Sequence, residues 1–128
     1  MNSRRPFYYR ETQGIRITVR PAYLAEQSIP ALARYIFVYF IRIENMSQRT
    51  VQLLSRHWYI HDSGGEDYQV VGDGVVGEQP VLEVGGIHEY NSFCILKSPS
   101  GYMEGSYRFL CADDTLFDAH IPRFELEV

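Results

Sequence analysis

A chain of 128 residues is the size of one ordinary domain and can bury most of its apolar surface in a single core. Hydrophobic residues make up 45 % and aromatics 14 %, which excludes a disordered chain and suits a β-rich one. With a net charge of −4 no strongly basic face is expected, so no nucleic-acid partner is expected, though a local basic patch stays open.

The first residues, MNSRRPFYYRETQG, carry arginines with no apolar h-region behind them, so they do not read as a secretory signal. Residues 1–12 are expected to be a weakly ordered segment of a single domain spanning 1–128. Ile15, Ile17 and Val19 then alternate with Arg16, Thr18 and Arg20, the pattern of a half-buried strand, with Pro21 at its far end. AEQSIPALAR reads as a loop in which Ala31 to Arg34 can make one helical turn. RYIFVYFIRIEN follows, with Tyr35, Phe37, Tyr39, Ile41 and Ile43 on one face and Ile36, Val38 and Phe40 on the other. Its first half is apolar on both faces, and each face needs a cover. No apolar run approaches the ~18 residues of a membrane helix, so a cytoplasmic protein without a membrane partner is expected.

Asn45-Met46-Ser47 is a turn, and TVQLLSRHWYIHD is the next strand. Its apolar phase slips between Val51, Leu53 and Leu54, Trp58, Ile60, which predicts a β-bulge near Leu53 and Leu54. Asp62-Ser63-Gly64-Gly65 closes a hairpin that returns through Asp67 to Val71. Short strands are expected at Val81–Val84, Ile87–Lys97, Ser106–Ala112 and Leu116–Leu126, with turns at Ser98–Gly101 and Asp113-Asp114. Seven or more short strands and no convincing helical period predict an all-β fold, an antiparallel β-sandwich. Cys94 and Cys111 lie in strand-patterned stretches and could face one another across a hairpin; a reducing compartment favours buried free thiols.

Gly72, Gly74 and Gly77 stand in the order G-x-G-x-x-G. A dinucleotide fingerprint needs a helix after the glycines, and the stretch to Gly85-Gly86, with Pro80 inside it, has no room for one. A phosphate-binding P-loop fails because Glu78 stands where its lysine belongs. Two readings stay open. The glycines can supply positive φ and close backbone approach in a loop crossing between the sheets. Alternatively, the backbone N–H groups of Gly72, Asp73, Gly74, Val75, Val76 and Gly77 can form a nest for phosphate or pyrophosphate. Asp73 and Glu78 repel a bare anion, an objection that Mg²⁺ bridging these carboxylates to the ligand reverses.

No catalytic group stands out. His57 and His61 share a strand face but lie ~13 Å apart at ~3.3 Å per residue, too far for one metal. His88 and His120 have no chelating partner at a recognised spacing, and Asp113, Asp114 and Asp118 lack the EF-hand pattern. Ser100 is outside a nucleophile elbow, and neither cysteine has a histidine placed as its base. Neither an enzyme nor a required cofactor is expected. Trp58, Phe37, Tyr35, Tyr39, Tyr107 and Phe109 read as core. Ten tyrosines and seven phenylalanines exceed what a thin sandwich hides, so the doubly apolar strand, through Ile36, Val38 and Phe40, is the candidate subunit interface.

GDGVVGEQPVL at 72–82, EYNSFCIL at 89–96, GYMEGSYRF at 101–109, IPRFELEV at 121–128 and RHWYIHDSGG at 56–65 together resemble the ApaG family, in order and spacing, over nearly the whole chain. The resemblance implies a fibronectin type III-like or immunoglobulin-like sandwich, often dimeric, with the glycine loop as a pyrophosphate-binding element. It also implies an association with cobalt resistance and magnesium efflux, and protein binding of the kind seen for related domains in F-box proteins. Gly85-Gly86 departs from the family's usual Pro-Gly, which loosens that turn. The combined expectation is a non-enzymatic binding module with an unidentified protein partner and a homodimeric state, or alternatively a pyrophosphate or nucleotide-polyphosphate binder.

Overall fold

In a computed structural model, which describes residues 7–128, the alternating stretches become nine strands. They are β1 (Tyr8–Thr12), β2 (Ile15–Tyr23), β3 (Tyr35–Asn45), β4 (Val51–Asp62), β5 (Tyr68–Asp73), β6 (Val81–Leu82), β7 (Ile87–Leu96), β8 (Ser100–Cys111) and β9 (Leu116–Glu127). The one helical element described is a 3₁₀ turn at Pro30–Leu32, inside the loop where a single turn is expected. One antiparallel sheet has the order β1-β2-β3-β7 and the other β5-β4-β8-β9, with β6 also on β4. With β1 and the two-residue β6 set aside, three strands packed on four is the fibronectin type III arrangement, and the fold is a β-sandwich.

Three local expectations are corrected. The weakly ordered segment 1–12 is ordered over 8–12, where β1 pairs with β2 from Tyr8↔Val19 to Thr12↔Ile15; residues 1–6 lie outside the described residues. Pro21 does not end β2, which runs on to Tyr23. Proline is tolerated there because β1 stops at the partner of Val19, so the missing N–H faces no ladder on that side. Finally, β8 begins at Ser100 rather than Ser106. Gly101, expected in the turn, and Gly105 stand where the His61 and His57 carbonyls of β4 would collide with any Cβ.

Period-2 alternation brings Ile15, Ile17, Val19, Phe37, Ile41 and Ile43 of the first sheet against Leu53, Phe109, Phe124 and Leu126 of the second, all buried. Phe124 is the aromatic hub, with ring centroids 5.7 Å from Tyr39, 5.9 Å from Trp58 and 6.3 Å from Tyr8. The free thiols are buried, but Cys94 on β7 and Cys111 on β8 belong to different sheets, so no hairpin joins them.

Two buried polar side chains hold the connections between sheets. Asn45 Nδ2 reaches the carbonyls of Arg49 (2.7 Å), Leu82 (2.9 Å) and Glu83 (3.2 Å), while its Oδ1 accepts from the Ser47 N–H and hydroxyl. At the opposite end Asp62 accepts from the Lys97 N–H at 2.7 Å and the Ser98 hydroxyl at 2.6 Å. Each supplies the partners that the loop backbone would otherwise find only in water. One side of the sandwich is closed by β9 packing on β1 and β2, with the His120 N–H donating to Thr12 Oγ1. On the other side the edges β5 and β7 face each other across an opening.

Candidate functional site

The β4 bulge organises that open side. Register with β8 shifts between Leu53 and Ser55, so the buried set changes phase from Val51 and Leu53 to Trp58 and Ile60. The same shift turns Arg56 toward the interior and leaves His57, Tyr59 and His61 on the outer face. There His57 Nε2 lies 2.8 Å from Gln69 Oε1 and stacks on Tyr59, while His61 Nδ1 lies 2.7 Å from Asp67 Oδ1 and stacks on Tyr102. The two histidines of β4 thus have separate partners.

The glycine segment leaves β4 and returns to the same strand. β5 pairs with Ser55–Ile60, β6 with Val51 and Gln52, and the excursion between them spans the bulge. The Leu54 carbonyl accepts from the Gly74 N–H (2.8 Å) and from Gln79 Nε2 (2.9 Å), and the Leu53 N–H donates to the Pro80 carbonyl at 3.0 Å. The loop therefore stays on one sheet, correcting the expectation that it crosses between the two; the crossover comes later, between β6 and β7.

Within it, Val75 and Glu78 exchange N–H···O bonds of 2.8 and 3.0 Å around a two-residue turn, with φ of 47° at Val76 and 79° at Gly77. Positive φ at both central positions is the I′ hairpin, whose twist matches that of paired strands. Gly74, at φ 61°, has no room for a Cβ, which would run into the Glu78 carbonyl. Gly77 needs glycine for its φ alone, since nothing lies within 4 Å of where a Cβ would stand. Gly72 has no positive φ; a Cβ would lie 2.8 Å from Arg56 Nη2, so it is bare to let the guanidinium pass over it. The motif spacing thus arises from three separate steric causes.

That geometry takes up two of the amides of the proposed nest, those of Gly74 and Val75. The N–H groups of Gly74, Val75 and Glu78 all donate within the protein, and the carbonyls of Asp73 and Gly74 accept from Arg56 Nη1 at 2.8 and 3.0 Å. Val75 is buried, whereas Val76 is exposed at the tip. Asp73 and Glu78 are exposed, and Glu78 Oε2 lies 3.8 Å from His88 Nε2. Among the described residues, no group of three or more His, Cys, Asp or Glu side chains is placed to hold a metal ion.

Nucleophilic chemistry finds little support in the cysteines. Burial pushes the Cys94 thiol above its ordinary pKa, and its hydrogen-bond partner is the Tyr68 hydroxyl at 3.6 Å rather than a base. An activated thiol needs the opposite shift.

The expected interface residues do come together, and two others join them. Ile36, Val38 and Phe40 lie on the outer face of the first sheet, where Ile36 pairs with Ile95 and Val38 with Phe93 of β7. Phe93 is 64 % exposed, Phe40 43 % and Ile95 38 %, so the cluster faces solvent. Sequence reasoning missed Phe93 and Ile95, although FCIL at 93–96 is apolar on both faces in the same way as YIFVYF. Arg20, Arg42 and Glu89 border the patch, opposite Phe40, Thr18 and Arg42 respectively in the ladders.

The family model described as DUF525, ApaG domain, matches residues 25–111. Protein ApaG of Rhodospirillum centenum is 48 % identical over 120 residues, covering 94 % of this chain and 92 % of that protein. Protein ApaG of Anaeromyxobacter dehalogenans is 50 % identical over 117 residues, with coverage of 91 % and 92 %. Among solved structures, a Bordetella pertussis protein designated ApaA superposes with a TM-score of 0.86 at 38 % identity, covering 94 % of each chain.

Proposed function

The chain belongs to the ApaG domain family, and from that premise we propose that it is a non-catalytic binding module that works by docking to protein, beginning with a second copy of itself. The observation that carries this reading is the outer-face cluster of Ile36, Val38, Phe40, Phe93 and Ile95, five apolar side chains adjacent in the β3–β7 ladder. Apolar clusters of this kind, rimmed by charge, are what subunit interfaces cover. A two-fold contact places the same patch on both sides, so Val38 and Phe93 of each copy meet equivalent residues or their neighbours.

Val38→Asp tests it. The wild type is expected to sediment as a dimer at micromolar concentration and the variant as a folded monomer, because the new carboxylate would be buried unpaired in the contact. A monomeric wild type, or a variant that still dimerises, overturns the interface. Cobalt tolerance and magnesium efflux are the physiological setting carried over from the family. The monomeric variant is expected not to restore cobalt tolerance to cells lacking this protein.

Pyrophosphate binding by loop 72–77, with Mg²⁺ held by Asp73 and Glu78, is the weaker reading because the Gly74 and Val75 N–H groups of the loop already donate internally. It requires the turn tip to supply the donors. Calorimetric titration with pyrophosphate, with and without magnesium and at two temperatures, is expected to show no saturable heat at millimolar ligand. A magnesium-dependent isotherm would restore it.

A further inference from the structure

Between the facing edges β5 and β7 the sandwich opens into a cavity of about 320 Å³. That size is at the lower end of the ~300–1,000 Å³ found for small-molecule sites. Trp58 and Tyr39, with ring centroids 5.4 Å apart, form part of its inner wall, while Val70, Val76 and Phe93 stand at its rim. Arg56 is the one charged side chain among the residues lining it.

Arg56 is unusual for a strand residue turned between two sheets. It is half-buried, and no ion pair among the described residues includes it. Its Nη1 is held by the Asp73 and Gly74 carbonyls, which fixes the guanidinium plane. No acceptor among the described residues meets Nε or Nη2, and neither atom is sealed from solvent. The remaining polar lining is neutral. Burial pushes the phenols of Tyr39, Tyr68 and Tyr90 upward, so they stay protonated at physiological pH, as does the Cys94 thiol. A half-buried cation without a counterion, hydroxyl groups beside it and aromatic walls form an environment that stabilises an anion with an apolar body.

We propose that this cavity binds a small, flat organic carboxylate, its anionic head on the free edge of the Arg56 guanidinium and its apolar body against Trp58. The site differs from the loop amides, because an arginine side chain meets the anion, and it lies between the sheets, sharing with the outer-face patch the rim residue Phe93. The strained, exposed Val76 at its rim fits this placement: a β-branched residue at φ 47° is rare and is held here by the anchored turn.

Trp58 is the only tryptophan, so its emission reports occupancy directly. The probe is 4-iodobenzoate, whose iodine quenches on contact and is located in crystals by anomalous scattering; 4-iodobenzamide is its neutral counterpart. The wild type is expected to show saturable quenching by the acid, about tenfold tighter than by the amide, as a charge-assisted bond to a guanidinium implies. Arg56→Met is expected to bind both probes alike, and Arg56→Lys to keep part of the preference. Iodine density is expected inside the cavity with the carboxylate at Arg56. If the methionine variant does not fold, the acid-to-amide ratio of the wild type and the iodine position decide. No saturable quenching at millimolar acid, equal affinity for acid and amide, an unchanged preference in a folded Arg56→Met, or iodine outside the cavity would each overturn the proposal.

Discussion

Phe124→Ala is expected to lower the stability of the fold by about 3–5 kcal/mol, the range for removing a fully buried aromatic ring. Phe124 is wholly buried and touches aromatic rings from three other strands, Tyr8 on β1, Tyr39 on β3 and Trp58 on β4, so no single neighbour can move in to fill the space. Against a total of about 5–15 kcal/mol for a domain this size, the loss is a large share of the stability. Phe124→Leu keeps most of the volume and should cost under about 2 kcal/mol. Urea titration followed by Trp58 emission measures both. A midpoint for the alanine variant within error of the leucine variant would mean that the hub collapses without penalty.

Gly74→Val is the second severe substitution, and its contrast with Gly77→Ala separates structure from ligand binding in the glycine motif. At Gly74 the positive φ and the Glu78 carbonyl both oppose a side chain, so valine must break the Val75–Glu78 pair and release the loop from the β4 bulge. The expected loss is about 3 kcal/mol or more, combining backbone strain with buried hydrogen bonds left unmade. At Gly77 the space is open, and alanine pays only for its left-handed φ, about 1–2 kcal/mol. Equal and small losses at the two positions in denaturant titrations would show that the close approach at Gly74 relaxes freely. If pyrophosphate binds after all, Gly77→Ala is the variant in which to look for altered affinity, because it remains folded.

Much was legible in the chain itself. Alternation at Ile15, Ile17, Val19 and along Tyr35–Ile43 names the inner faces, because a strand's side chains point alternately to opposite sides whatever the rest of the molecule does. The phase slip at Leu53 and Leu54 marks the bulge for the same reason, and the lack of room for a helix after Gly77 excludes a dinucleotide site. The doubly apolar pattern of β3 marks Ile36, Val38 and Phe40 as needing a cover.

Other features depend on which backbone lies alongside, which is a matter of register and not of local pattern. Gly101 reads as a turn residue until the His61 carbonyl of β4 is seen pressed against it, and Pro21 reads as a strand end until β1 is seen to stop short of it. Phe93 and Ile95 complete the outer patch only through the β3–β7 pairing. The phase slip puts Arg56 on the same strand face as Trp58 and Ile60. What only the tertiary structure decides is that the edges β5 and β7 stay unpaired and leave a cavity between the sheets for that inward charge to line.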